Sequence, residues 1–107
     1  MRTIALSINK GGVGKTTTTK NIACAAVEAG LNVLVLDMDT QQNSTNWGRR
    51  REKQEKPLPL VKFSTEQDLP EELKRAAKAG CDLVVIDTPP GRSSEAMAAV
   101  EAADLVL

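Results

Sequence analysis

The segment with the clearest chemical meaning is a glycine-rich stretch near the amino terminus, Lys10-Gly11-Gly12-Val13-Gly14-Lys15-Thr16-Thr17. Its backbone N–H groups can turn inward around a phosphate because no side chains block them, and a following helix adds the positive end of its dipole. Lys15 would then reach the β- and γ-phosphates of a nucleotide, and the Thr16 hydroxyl would bind magnesium. The pattern predicts a phosphate-binding loop; the alternative is a glycine-rich turn that binds nothing.

Two acidic motifs follow apolar runs that are typical of buried strands. Asp37-Met38-Asp39-Thr40-Gln41-Gln42 comes after residues 33–36, and Asp87-Thr88-Pro89-Pro90-Gly91 comes after residues 83–86. Ligands of open α/β sheets gather at the carboxyl ends of strands, and a carboxylate ending a buried strand is costly without a partner such as hydrated magnesium. We therefore predict that both motifs lie beside the phosphate-binding loop. Alone, each would be an ordinary turn or helix start.

The hydrophobic pattern predicts the strands and helices that position these motifs. Apolar alternation or runs predict strands at residues 4–8, 33–36, 60–63, 83–86 and 105–107. Between them, helices are predicted from Lys15 to Ala29, from about Ser44 to Glu55, from about Pro70 to Ala79, and from a capping Ser94 through Ala102. Gly30 and Gly80 are expected to end the first and third helices. The resulting order, βαβαβαβαβ, predicts an α/β fold with a mostly parallel sheet covered on both faces.

Length and composition set limits on the organisation of the chain. With 107 residues and 41% apolar content, residues 1–107 are expected to form a single domain, and residues 54–59 a loop. Lysine plus arginine and aspartate plus glutamate both number 14, so any nucleic-acid contact must come from a local patch. The two cysteines, Cys24 and Cys81, are interpreted as reduced core residues. The start of the sequence resembles neither a signal peptide nor a membrane span, which favours a cytoplasmic protein.

The last residues, Asp104-Leu105-Val106-Leu107, stop where an apolar strand begins. Because such a strand would lack a covering helix, we expect the chain to be the incomplete, N-terminal part of a nucleotide-binding domain.

One departure from the ordinary phosphate-binding loop is informative. The usual pattern, G-x-x-x-x-G-K-[ST], would place glycine at position 9, where this sequence has Asn9, and Lys10 follows. The stretch resembles the deviant loop, x-K-G-G-x-x-K-[ST], of the ParA/MinD superfamily of P-loop ATPases. This resemblance implies that Lys10 reaches across a dimer interface to the phosphates of a partner; a solvated loop lysine is the alternative.

The same resemblance implies roles for the acidic motifs. In Asp37-Met38-Asp39-Thr40-Gln41, which is similar to the family's D-x-D-P-Q with Thr40 in place of proline, Asp39 would orient the attacking water and Asp37 would support magnesium through water. Asp87 would be the second magnesium-linked carboxylate. The loop of Pro89, Pro90 and Gly91 would act as a switch, with Gly91 presenting its N–H to the γ-phosphate. The implied strand order is 3-2-4-1-5.

Weaker features indicate the branch of the superfamily. The phosphate-binding loop lies close to the start of the sequence, as in the small ParA-type partition ATPases. Trp47 and the following Arg49-Arg50-Arg51 also resemble the sequences of these proteins. Such proteins bind Mg-ATP, form a homodimer, bind non-specific DNA on the nucleoid and are stimulated by a ParB-like centromere-binding protein, with no membrane contact. The arginines either touch phosphates or form a solvated helix face.

Four other classes of protein share part of this sequence pattern. A MinD-like positioning ATPase would need an amphipathic carboxyl-terminal helix. A reductase similar to the nitrogenase iron protein would need dimer-bridging cysteines, and Cys81 is poorly placed for that role. A ligase similar to dethiobiotin synthetase would lack Lys10. A nucleotide-binding module without turnover also stays open.

Overall fold

The computed structural model describes residues 1–7, 11–39, 43–53, 59–89, 91 and 93–107, and it leaves out the side chains of residues 11–16, 43, 52 and 53. Five strands and four helices alternate within these ranges. The strands are β1 (Arg2–Leu6), β2 (Val33–Asp37), β3 (Leu60–Phe63), β4 (Leu83–Asp87) and β5 (Leu105–Val106). The helices are α1 (Gly11–Glu28), α2 (Asn43–Lys53), α3 (Leu69–Lys78) and α4 (Ser94–Ala102).

The strands form one parallel sheet in the order β3-β2-β4-β1-β5. This confirms the predicted α/β class and the strand order that the family resemblance implied. The chain moves from β1 in one direction to β2 and β3, and then in the other direction to β4 and β5. With right-handed crossovers, the two halves of the chain place their helices on opposite faces of the sheet.

The core consists of two apolar layers, one on each face of the sheet. Successive residues of β2 alternate between them: Leu34 and Leu36 pack with residues of α3 and α4, whereas Val33 and Val35 pack with residues of α1. Val84 and Ile86 of β4 belong to the first layer and Val85 to the second. Both central strands are therefore apolar at consecutive positions because each is covered on both sides.

Glycines end α1 and α3 as predicted. Gly30 has a φ of 86° and Gly80 a φ of 83°, which is the left-handed conformation that glycine adopts without strain. Pro70, Glu71 and Glu72 occupy the first turn of α3, also as predicted.

Two helix starts differ from the prediction. α1 begins at Gly11 and not at Lys15, so the backbone of the glycine-rich segment is already helical there. The predicted cap of α4 was Ser94, but the structure uses Ser93, whose extended backbone (φ −107°, ψ 165°) lets its side chain accept a hydrogen bond from the Ala96 N–H at 3.1 Å. Ser94 is the first helical residue. Either serine satisfies the sequence rule for a cap, and only the backbone conformation decides between them.

The cysteines and the arginines of α2 differ in how far they are exposed. Cys24 and Cys81 are free thiols, as predicted, but both are only half-buried and are not full core residues. Arg49 and Arg50 are exposed on α2. Ile8, Gln54 and Glu55, and the loop predicted at residues 54–59 except Pro59, lie outside the described residues.

Gly48 allows α2 to approach β3 closely. A Cβ atom at this position would lie 2.7 Å from Val61 Cβ and 2.8 Å from Val61 Cγ2, so the helix would have to shift. We expect Gly48→Ala to lower the free energy of unfolding by about 1–2 kcal/mol, since overpacking outweighs the better helix propensity of alanine. Urea denaturation would measure this, with Asn46→Ala at an exposed position of α2 as control. A Gly48→Ala protein as stable as the control would contradict this account of the packing.

Candidate functional site

The predicted acidic residues meet where the central strands end, a region we call the carboxyl end of the sheet. Asp37 ends β2, Asp87 ends β4, and these residues are direct partners in the parallel register. On the other side of β4, Asp87 is the partner of Leu6, the last residue of β1. Neighbouring strands lie about 4.8 Å apart. Asp87 is therefore one strand and Asp37 two strands away from the point where the chain leaves β1 toward the glycine-rich segment.

Both carboxylates are buried and hydrogen-bonded. Asp37 is 0% exposed and Asp87 is 1% exposed. Asp37 Oδ1 accepts from the Asp39 N–H at 3.0 Å, and its Oδ2 accepts from the N–H and the hydroxyl of Thr45, each at 2.9 Å. Asp87 Oδ2 accepts from the Ser44 hydroxyl at 2.8 Å. These bonds connect the ends of β2 and β4 to the first turn of α2.

Further hydrogen bonds hold the loops that follow the strands. The Thr88 hydroxyl donates to the Leu6 carbonyl, which joins the loop after β4 to the end of β1. The Met38 N–H donates to the Asp87 carbonyl at 2.9 Å, which joins the loop after β2 to β4. The site is therefore attached to rigid elements on three neighbouring strands.

The other predicted site residues are described to different extents. Gly11, Gly12, Val13, Gly14, Lys15, Thr16 and Thr17 form the start of α1, where the first N–H groups of a helix have no partner within it. Asp39 and Pro89 are half-buried, and Gly91 has a φ of 85°, which suits glycine in a sharp turn. Lys10 and Pro90 lie outside the described residues, as do the side chains of Lys15 and Thr16. The roles of all these residues stay predictions.

Sequence reasoning missed two residues whose hydroxyl groups contact the carboxylates. Ser44 is 0% exposed and Thr45 is 6% exposed, although both were interpreted only as part of a helix. The signal was available, since hydroxyl side chains in a first helical turn commonly hydrogen-bond nearby groups. The identity of their acceptors, however, depends on how α2 packs against two strands.

Trp47 connects the two helices that begin near this site. The Lys20 Nζ of α1 lies 5.9 Å from the centre of its ring, and the Arg51 Cζ of α2 lies 5.3 Å from it. Both distances fit cation–π contacts. Arg51 therefore packs against the Trp47 ring, whereas Arg49 and Arg50 are exposed to solvent.

The chemistry of these donors fits magnesium. The described residues contain no group of three or more histidine, cysteine, aspartate or glutamate side chains able to hold a metal by themselves. Magnesium does not need such a group, because it keeps several waters and binds one or two carboxylates together with the phosphates of a nucleotide. Two buried carboxylates on adjacent strands, beside a predicted phosphate-binding loop, supply that kind of ligand set.

Comparison with known proteins identifies the family. A family model described as "AAA domain" matches residues 1–73, which include the glycine-rich segment and the first acidic motif. Among curated relatives, the carboxysome distribution protein A of Gloeobacter kilaueensis is 43% identical over 106 residues, and the chromosome-partitioning ATPase Soj of Thermus thermophilus is 36% identical over 133. The chain belongs to the ParA/MinD superfamily of P-loop ATPases.

Each match covers nearly all of this chain but only about half of the relative. It covers 96% of this chain and 46% of the Gloeobacter protein, and 100% of this chain and 53% of the Thermus protein. The chain therefore spans about half the length of the curated relatives it matches. The fold is similar to that of a chain in the structure of the MinC:MinD cell division protein complex from Aquifex aeolicus, with a TM-score of 0.74 and 22% sequence identity. This match covers 99% of the present chain and 55% of the chain in the complex. At this identity, the likeness concerns the fold alone.

None of the helices in the part of the chain that the structure describes is long and apolar enough to span a membrane.

Proposed function

We propose that this protein binds Mg-ATP at the carboxyl end of its sheet and hydrolyses it as a ParA-type positioning ATPase. The observation that carries the proposal is the register of Asp37 with Asp87 beside the end of β1. It brings two buried carboxylates to the strand from which the segment Lys10–Thr17 begins. Membership of the ParA/MinD superfamily supports the same activity, and residues 1–107 form the N-terminal part of a single nucleotide-binding domain in this proposal.

Each residue has a distinct task in the proposed site. The N–H groups at the start of α1 and Lys15 bind the phosphates, while Thr16 and Asp87, together with Asp37, hold magnesium and its waters. Magnesium neutralises charge on the phosphates when it is bound. Asp39 orients the water that attacks the γ-phosphate, and the switch loop with Gly91 distinguishes ATP from ADP. Lys10 contacts the phosphates bound by a second copy of the chain.

The proposed cycle follows from this site. ATP joins two copies face to face, the dimer binds DNA without sequence preference on the nucleoid in the cytoplasm, and a ParB-like partner stimulates hydrolysis and release. A relative from Caulobacter vibrioides is a chromosome partitioning protein ParA, 37% identical over 79 residues, which supports DNA as the cargo.

A second candidate function differs only in the cargo. The Gloeobacter relative, at 43% identity, is named for the maintenance of carboxysome distribution. This likeness favours a positioning ATPase that distributes a carboxysome-like body rather than a plasmid or chromosome. Deleting the gene would distinguish the two, because plasmid or chromosome loss is expected for the first candidate and clustered bodies for the second.

The test of the proposed activity is Asp39→Ala. Because its carboxylate is assigned to the attacking water and not to the phosphates, ATP affinity should change little while hydrolysis slows by roughly 100-fold or more. Calorimetry would measure binding and phosphate release would measure turnover. Asp68→Ala, at an exposed aspartate before α3 whose side chain forms no capping bond, is the control and should leave both unchanged. Normal turnover of the Asp39→Ala protein would refute the role of Asp39.

A further inference from the structure

The first turn of α2 carries two buried hydroxyl groups, and each is bonded to a different carboxylate of the site. The Ser44 hydroxyl donates to Asp87 Oδ2 at 2.8 Å, and the Thr45 hydroxyl donates to Asp37 Oδ2 at 2.9 Å. Ser44 and Thr45 are adjacent in sequence, whereas their acceptors end two neighbouring strands. A single helical turn thus contacts both acidic motifs.

These contacts do more than cap α2. Among the described residues, Asp37 caps the helix, because its Oδ2 accepts the Thr45 N–H in the first turn. The bond from Ser44 to Asp87 satisfies no backbone group of α2 and joins the helix to a second strand. Hydrogen bonds to an ionised carboxylate are short and strong, and one bond to one oxygen restricts the rotation of the whole carboxylate group.

The hydrogen bonds show how each carboxylate is held by the start of α2. Both oxygens of Asp37 accept hydrogen bonds from residues of the loop after β2 and the start of α2, namely Asp39 and Thr45. Asp87 receives the Ser44 bond on Oδ2, which restricts the rotation of the group and thereby the directions open to Oδ1. Groups that orient a metal ligand in this way commonly contribute 10- to 100-fold to metal affinity.

We propose that Ser44 and Thr45 are positioning residues of the magnesium site, with Ser44 orienting Asp87 and Thr45 orienting Asp37. This inference depends on the proposed function, because it concerns the same site. It assigns the larger effect to Ser44, because Ser44→Ala loses the hydroxyl that bonds Asp87, and the smaller effect to Thr45, whose N–H still holds Asp37 when the hydroxyl is removed. It also means that α2 joins the two acidic motifs through side-chain hydrogen bonds.

The experiment measures how nucleotide binding depends on magnesium, without turnover. The affinity of the protein for adenosine 5′-(γ-thio)triphosphate would be measured by calorimetry in EDTA and at increasing magnesium concentrations. We expect Ser44→Ala to raise the magnesium concentration that gives half of the maximal gain in nucleotide affinity by about 10- to 100-fold. Thr45→Val should raise this concentration by only a few-fold. In EDTA, both variants should bind the nucleotide as the parent does, because the phosphate-binding loop is intact.

Two controls separate positioning from stability. Ser64→Ala removes a hydroxyl that is also buried, at 2% exposed, but that donates to the Thr65 carbonyl and not to a carboxylate, so its magnesium dependence should match the parent. Thr45→Ser keeps the hydroxyl and should restore the parent value. If Ser44→Ala does not fold at the assay temperature, Ser44→Cys keeps a weak donor in its place and should give an intermediate shift.

The outcomes distinguish the inference from the function on which it rests. If the parent binds no nucleotide either with magnesium or in EDTA, the proposed function is wrong and the inference fails with it. If the parent binds in a magnesium-dependent way and Ser44→Ala has the same dependence, only the positioning role is wrong. An equal shift in Ser44→Ala and Ser64→Ala would also overturn it, since the effect would then come from general destabilisation.

Discussion

Replacing Lys15 by alanine is expected to abolish nucleotide binding at ordinary concentrations. The ammonium group is the main counter-charge assigned to the β- and γ-phosphates, in a site bordered by the buried ends of β2 and β4. Removing one partner of a desolvated charge pair costs about 2–5 kcal/mol, which corresponds to a loss of affinity of roughly 30- to 4,000-fold. Calorimetric titration with ATP and magnesium would measure the loss.

The control for this variant is Lys78→Ala, which removes an exposed lysine from the last turn of α3. It changes the net charge by the same amount, so a general electrostatic effect on ATP would be visible in both proteins. If the Lys15→Ala protein binds ATP as tightly as the control does, the phosphate-binding loop has been assigned to the wrong residues.

Replacing Lys10 by alanine should have a different effect, because the ParA/MinD resemblance assigns this lysine to the phosphates of a partner copy. ATP affinity of the monomer should stay within about tenfold of the parent, since Lys15 and the N–H groups of α1 still hold the phosphates. ATP-dependent dimerisation should fail. Hydrolysis should fall with it, by up to ~1,000-fold, because the reacting γ-phosphate loses a cation.

Dimerisation is best measured in a variant that hydrolyses ATP slowly, because hydrolysis would dissociate the dimer. Sedimentation with ATP would compare the Lys10→Ala, Asp39→Ala double variant with the Asp39→Ala parent. Should both dimerise equally well, the role across the interface is wrong, and the surviving interpretation is a lysine that binds phosphate within its own subunit. The partition-type cycle would then lose its main support in the sequence.

The features that could be predicted from the sequence are those that depend on near neighbours along the chain. Periodicity of 2 or 3.6 residues indicated the strands and helices, and Gly30 and Gly80 marked two helix ends because a left-handed backbone favours glycine locally. The alternation of elements predicted the parallel sheet, and the resemblance carried by Lys10 to Thr17 supplied the strand order that the structure has. All of these signals lie within short segments or in the order of segments.

Which side chains meet could not be predicted from the sequence and follows from the packing of the folded chain. The register that pairs Asp37 with Asp87 joins residues 50 positions apart, and it depends on how both faces of β2 and β4 are packed. The bonds from Ser44 and Thr45 to these carboxylates require α2 to lie against two strands at once. The close approach of Gly48 to Val61 sets the distance of that helix from the sheet. Such contacts depend on packing between distant segments, for which a local sequence pattern carries no signal.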